Sequence, residues 1–191
     1  MTGDFILASG SPLRLKLLEQ ISFFPRLSVS PDVDETPFKR EKPRNYVLRV
    51  SRSKAEKIRE AYPGDNILAS DTIAVVLNRI VQKLESEEKV RDYFKLYSGR
   101  NIRALSGVCF INKAGTVFQK VCETKIKFKC LGKKDLDDLI KYGDIFGCSG
   151  GIRMEGFCEG LVKSVNGSYS NILGLPLCEV RNILISNGVG K

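Results

Sequence analysis

Three features of the sequence predict a mixed α/β fold built on one core. Short apolar runs closed by Gly, Ser, Pro or Asn alternate with longer segments whose apolar residues recur every third or fourth position, the signatures of strand and helix. No linker, repeat or low-complexity stretch separates them, so the 191 residues read as a single domain, 1–191, of a size that buries a substantial core. Apolar residues at 42% and charged residues at 28% are ordinary globular values.

The elements follow in order. Residues 5–9 form a buried apolar strand, and a helix runs over 12–21, because Ser11 is a good N-cap and Pro12 a good first helical residue. Residues 22–44 read as a Pro-containing connection with an acidic centre, and 45–61 as a second helix. "NILASDTIAVVLNRIVQK" (66–83) reads as two apolar strands turning near Asn78-Arg79. A helix from about Ser86 to Tyr97 places Val90, Tyr93, Phe94 and Tyr97 on one face, with Gly99 as its stop. "LSGVCFINKAG" and "TKIKFKC" are strands, the second alternating Ile126, Phe128 and Cys130 with a solvated row of Lys125, Lys127 and Lys129. "KKDLDDLIKY" is a short helix ending at Gly143, a glycine-rich segment occupies 143–167, and a helix begins around Pro176.

Composition narrows the function. No apolar stretch approaches the roughly 18 residues a membrane span requires, and no signal-peptide pattern opens the chain, so the expected location is cytoplasmic, with no membrane partner. Six cysteines without a Cys-x-x-Cys pair sit mostly among apolar neighbours and read as reduced core residues. Histidine is absent, which removes the commonest general base and transition-metal ligand and leaves acid–base chemistry to carboxylates, lysines or water. A net charge of +9 and a pI near 9.3 favour a polyanionic partner, either nucleic acid or a phosphate-rich small molecule.

Four places break the local pattern. At Ser9-Gly10-Ser11 the amides of a helix N-terminus face the turn, a setting that binds phosphate, and Arg14 opposes the helix dipole unless an anion sits there; a well-capped helix without a ligand is the alternative. Lys54 falls at the centre of an inward stripe of Val47, Val50, Ile58 and Ala61, so it must snorkel, pair with a carboxylate or meet a bound anion. Arg49, Arg52, Glu56, Arg59 and Glu60 project elsewhere, and these charges, with the run from Lys39 to Arg44, read as solvated surface carrying pairs such as Arg52–Glu56. Asp71 sits between two apolar strand segments, where a sheet tolerates a charge only if it is paired or functional, with Thr72 beside it and Lys83 returning toward the same end of the hairpin. An Asp71–Lys83 structural pair is the simplest reading there. "SPDVDETP" (30–37) gathers Asp32, Asp34 and Glu35 in a basic protein, the oxygen ligands Mg²⁺ or Mn²⁺ prefers. Together these residues describe metal-assisted attack of water at a phosphate.

Four motifs carry a family resemblance. "LASGSPLRLKLL", "DVDETP" with "PRNYVLRVSRSKA", "ASDTIAVVLNRIVQK" and "NGSYSNILGLPL" resemble, in order and interval, the Maf family of nucleoside triphosphate pyrophosphatases over nearly the whole chain. The resemblance implies a Maf/ITPase-like fold, an elongated mixed β-sheet flanked by helices with a cleft between two lobes. It also implies hydrolysis of a nucleoside triphosphate between the α and β phosphates, with a divalent metal cation, Mg²⁺ or Mn²⁺, and a homodimer as the assembly to expect. Carried across motif by motif, Asp71 becomes the proton acceptor, Ser9, Ser11, Arg14, Lys54 and Lys83 bind phosphate, and Glu35 and Asp71 face the metal.

Departures from the family pattern bear on substrate choice. Leu13 stands where the family usually has Arg or Trp, and Leu84 follows Lys83 where proline is usual. Thr72 matches the branch preferring dTTP and UTP, whereas Glu155 in "GIRMEGF" resembles the branch acting on 7-methyl-GTP and favours a modified or broad purine preference. Two rivals remain. A nucleic-acid-binding module would use the +9 charge, although the aromatics are not interleaved with the basic residues as a stacking platform requires. A catalytically weak nucleotide-binding regulator is the reading that Leu13 motivates.

Overall fold

The apolar run that opens the sequence forms β1 (Gly3–Ala8), and the computed structural model describes residues 3–81, 84–143 and 145–190. After β1 come α1 (Pro12–Gln20), β2 (Pro25–Val29), α2 (Pro43–Ala61) and β3 (Ile67–Val76). β1 runs parallel to both neighbours: Ile6 lies opposite Leu27 and Ile67, and Ala8 opposite Val29 and Ala69. A chain that leaves β1 on one side for β2 and returns on the other for β3 makes a topological switch point between β1 and β3. Open α/β sheets bind ligands there, beyond the carboxyl ends of the strands.

The remaining elements are β4 (Arg79–Val81), α3 (Glu87–Tyr97), β5 (Asn101–Ile111), β6 (Val117–Phe128), α4 (Lys133–Tyr142), β7 (Val162–Asn166), α5 (Tyr169–Ile172) and α6 (Leu177–Ser186), with a 3-10 turn at Phe157–Leu161. The sheet has seven strands in the order β2-β1-β3-β5-β6-β7, with β4 paired to β3, which makes it the mixed α/β fold the sequence predicts.

Three details differ from the sequence reading. β2 and β7 fall in stretches that read as a connection and a glycine-rich segment. Both are edge strands with mostly exposed residues, so neither shows the apolar run or alternation that marks a strand. The β3–β4 hairpin turns one residue earlier than expected: Val76 pairs with Arg79, and Leu77 and Asn78 take φ of 48° and 61°. Two positive φ values suit the twist of a tight hairpin, but Leu is an unusual residue there and hides the signal. Only Cys109, Cys122 and Cys158 are buried; Cys148 is half-buried, and Cys130 and Cys178 are exposed. Cys130 lies two residues beyond the end of its strand at Phe128, so the alternation no longer directs it inward.

The chain divides into two compact units, one of Met1–Thr72, Ser106–Cys122 and Gly174–Lys191, the other of Ile73–Leu105 and Glu123–Leu173. In the first unit α2 lays Ala55 and Ile58 on Ile6, Ala8, Ile67, Ala69, Cys109 and Ile111. Full burial of each large aliphatic side chain contributes about 1.5–3 kcal/mol. Gly107 permits the approach, since a Cβ there would lie 2.1 Å from the carbonyl oxygen of Val47 and 2.9 Å from Ser51 Oγ. The second unit is centred on Phe94, Tyr97 and Phe128, whose ring centroids lie 5.0–5.8 Å apart, with the Tyr97 hydroxyl donating to the Gly150 carbonyl at 3.1 Å. Among the described residues no helix is long and apolar enough to cross a membrane.

Because Gly107 meets backbone rather than a flexible side chain, Gly107→Ala is expected to destabilise by about 1–3 kcal/mol or more, since overpacking forces α2 away from the sheet. Urea unfolding measures it, and an unchanged midpoint refutes the close packing as the reason for glycine.

Candidate active site

The switch point receives side chains from both faces of the sheet because β3 alternates: Ser70 and Thr72 point to one face and Asp71 to the other. On the first face, Ser11 caps α1 by accepting from the Arg14 amide at 3.4 Å. Ser9 is buried, and its Oγ accepts from the Ser11 amide and from Arg14 Nη1, both at 3.1 Å. A hydroxyl that accepts twice still has its own O–H to donate to an anion at the helix N-terminus.

Arg14 is aimed by the backbone of a distant segment. Its Nε donates at 2.9 Å to the Gly174 carbonyl, which also accepts from Ser70 Oγ and Thr72 Oγ1 at 3.2 Å each. Gly174 has φ 109°, and a Cβ there would lie 3.4 Å from Arg14 Nε, so a side chain is disfavoured on two counts. Thr72 Oγ1 also lies 2.6 Å from the Oγ of the buried Ser106. Burial pulls the Arg14 guanidinium below its ordinary pKa, while the negative charges of Asp71 and Glu35 push it back up.

On the second face, Lys54 from α2 is buried and stands between two carboxylates. Its Nζ lies 2.7 Å from Asp71 Oδ1 and 2.9 Å from Glu35 Oε1. The Lys54 and Asp71 side chains are 9% and 7% exposed, whereas Glu35 is 47% exposed, so the ammonium links a buried acid to one that reaches solvent. Glu35 comes from the acidic segment, where the Tyr46 hydroxyl donates to its backbone carbonyl at 2.8 Å. Burial, followed by the charges of Asp71 and Glu35, pushes the Tyr46 phenol well above its usual pKa, so it stays a donor.

Asp71 Oδ2 is buried and has no hydrogen-bond donor on it among the described residues. A buried carboxylate oxygen without a partner is costly, which marks this atom as the one that meets a water or a cation. The residues therefore fit a hard divalent cation, since Mg²⁺ characteristically takes one or two carboxylates and completes its shell with water and substrate phosphates. Among the described residues no group of three or more acids or cysteines forms a cage for a metal, and Glu35 and Asp71 are the carboxylates that could hold such an ion here.

The structure thus gathers Ser9, Ser11, Arg14, Glu35, Lys54, Asp71 and Thr72 in the first unit. Lys54 takes the carboxylate-paired option among those its position left open, so the partner of Asp71 is Lys54; Lys83 lies outside the described residues. Leu13 is half-buried in the first turn of α1, and Glu155 is exposed in the second unit. Ala61 is exposed rather than part of the inward stripe. Ser106, Gly174 and Arg49 do not stand out in the sequence: a serine in an apolar strand, a glycine among many and one arginine in a charged helix carry no local signal.

A helix N-terminus, an aimed arginine and a lysine-bridged pair of carboxylates at a switch point define an α/β protein with a site for a polyanion. The chain matches the family described as Maf-like protein over residues 4–187 and belongs to it. It is 37% identical to the nucleoside triphosphate pyrophosphatase of Neorickettsia sennetsu, over 99% of this chain and 90% of that one. It is 40% identical to the dTTP/UTP pyrophosphatase of Caulobacter vibrioides, over 97% and 95%. A solved structure of a nucleoside-triphosphatase / dITP/XTP pyrophosphatase from Mycobacterium abscessus aligns with 65% of this chain and 73% of that one, at 18% identity and a TM-score of 0.41.

Removing one member of a buried ion pair leaves the other charge uncompensated. Lys54→Met is expected to cost about 3–5 kcal/mol in urea unfolding, with part of the loss recovered in the Lys54→Met/Asp71→Asn double variant. Additive effects of the two substitutions would show that the pair is not coupled in the fold.

Proposed function

We propose that the protein hydrolyses a nucleoside triphosphate between the α and β phosphates, giving a nucleoside monophosphate and pyrophosphate. The observation that carries this reading is Asp71, held at Oδ1 by Lys54 and open at the buried Oδ2. The triphosphate lies at the α1 N-terminus, where the Ser9 and Ser11 hydroxyls, the Leu13 amide and Arg14 take up its negative charge. Asp71 Oδ2 accepts a proton from the attacking water as its oxygen bonds to the α phosphorus. The bond from that phosphorus to the bridging oxygen breaks, and pyrophosphate leaves. Lys54, 2.7 Å from Asp71 Oδ1, holds the carboxylate oriented for this step. Glu35 and Asp71 would hold a divalent cation, which when bound would supply charge neutralisation at the phosphate oxygens.

For the base, this reading takes thymine or uracil. Thr72 lies at the switch point, held by Ser106 and the Gly174 carbonyl, and relatives 37–40% identical to this chain are named dTTP/UTP pyrophosphatases. Glu155 favours the second reading, a methylated guanine nucleotide, because an exposed carboxylate pairs with a cationic base. The proposal includes a cytoplasmic enzyme, consistent with six cysteines all free of disulfides.

A panel of canonical and 7-methylated nucleoside triphosphates, assayed for pyrophosphate with Mg²⁺ or Mn²⁺, tests both points: dTTP and UTP are expected to turn over fastest. Asp71→Asn is expected to lower kcat by about 10²–10⁴-fold, the usual contribution of a general base. Wild-type turnover in that variant refutes the role of Asp71. Steeply salt-dependent oligonucleotide binding without pyrophosphate release would favour a nucleic-acid-binding module instead.

A further inference from the structure

Residues 30–42, which carry Glu35, form neither strand nor helix, so the position of that carboxylate depends on how the segment is tied down. Two consecutive carbonyls after the Glu35 side chain are anchored by α2: the Glu35 carbonyl accepts from Tyr46 at 2.8 Å, and the Thr36 carbonyl from Arg49 Nη2 at 3.0 Å. Arg49 also grips the far end of the segment as a fork, with Nε on Glu41 Oε1 and Nη2 on Glu41 Oε2, both at 2.8 Å. Its guanidinium carbon lies 4.0 Å from the ring centroid of Phe38 and 5.4 Å from that of Tyr46. Phe38 is 62% exposed, so its place over the guanidinium owes little to burial in the core. Glu41 Oε2 accepts from the Phe38 amide at 3.0 Å, and Asp34 Oδ1 from the Thr36 amide at 2.8 Å, which closes the segment on itself.

One side chain therefore holds the segment at Thr36, at Phe38 and at Glu41, on the helix that also carries Lys54. We infer that Arg49 is a positioning residue: by fixing residues 34–41 against α2 it sets where the Glu35 carboxylate meets Lys54 and, on the pyrophosphatase reading above, the divalent cation. The role needs an arginine. Lysine keeps the charge but has neither the planar fork for Glu41 nor the flat face for Phe38. Outer residues that orient a metal-facing carboxylate commonly alter metal affinity by about 10–100-fold when replaced.

The test uses the full chain without nucleotide. Mn²⁺ uptake is followed by loss of the free-ion signal in electron paramagnetic resonance, and exchange of the Thr36 and Phe38 amides by hydrogen–deuterium exchange. Arg49→Ala and Arg49→Lys are both expected to weaken Mn²⁺ binding by about tenfold or more and to speed exchange at those amides. In the pyrophosphate assay, the Mn²⁺ concentration for half-maximal rate is expected to rise more than kcat falls. Should Arg49→Ala fail to fold, Glu41→Gln, which removes the charge from the other side of the fork, is expected to show the same two changes. Wild-type Mn²⁺ affinity in the folded variants overturns the inference, whether or not exchange has changed, as does rescue of Mn²⁺ affinity by lysine, or a wild-type chain that binds no Mn²⁺. A wild-type chain that binds Mn²⁺ but releases no pyrophosphate from any nucleotide overturns the proposed reaction and leaves the Arg49 result to stand by itself.

Discussion

The buried ammonium of Lys54, set between Asp71 and Glu35, is the constraint on which the rest of the first unit depends. A charge this deep is tolerated only with partners at contact distance, so α2 must lie close enough to β3 for a lysine to reach a strand carboxylate. Two parts of the sequence meet that demand. Small residues, Ala8, Ala55 and Ala69, line the helix–sheet contact, and Gly107 lets β5 accept the helix backbone directly. Core packing and site geometry are therefore set by the same residues, and the register that places Ala69 opposite Ala8 also sends Asp71 beyond the end of β1.

Strand alternation explains how one short run serves two tasks. Ser70 and Thr72 turn to the face where Arg14 and the Gly174 carbonyl lie, while Asp71 turns to Lys54. On the proposed reaction, the phosphate-facing residues and the proton acceptor therefore lie on opposite faces of β3.

Much of this was legible in the sequence because burial of charge is a local anomaly. Lys54 in an apolar helical stripe, Asp71 in an apolar strand and Arg14 in the first turn of a helix each violate an expectation that a single chain segment is enough to establish. The edge strands β2 and β7 were not legible, since a strand exposed on its outer side carries no apolar pattern. Nor were the supporting residues of the site. Gly174 acts through its carbonyl, which every residue possesses, and Ser106 and Arg49 acquire meaning only from neighbours far along the chain or from a segment without regular structure. Arg49 read as one more solvated charge because helical spacing reports which way a side chain points and not what folds over it.

The carbonyl that orients Arg14 lies 160 positions away from it in sequence. On a ribosome, a chain that has emerged as far as residue 173 already carries Ser9, Ser11, Arg14, Glu35, Lys54 and Asp71, and has every segment of the second unit, yet Arg14 Nε lacks its Gly174 acceptor and the first unit lacks α6. Long-range closure of this kind orders late. The motif encoded first is the one completed last, so a nascent or prematurely halted chain is kept from presenting a finished anion site.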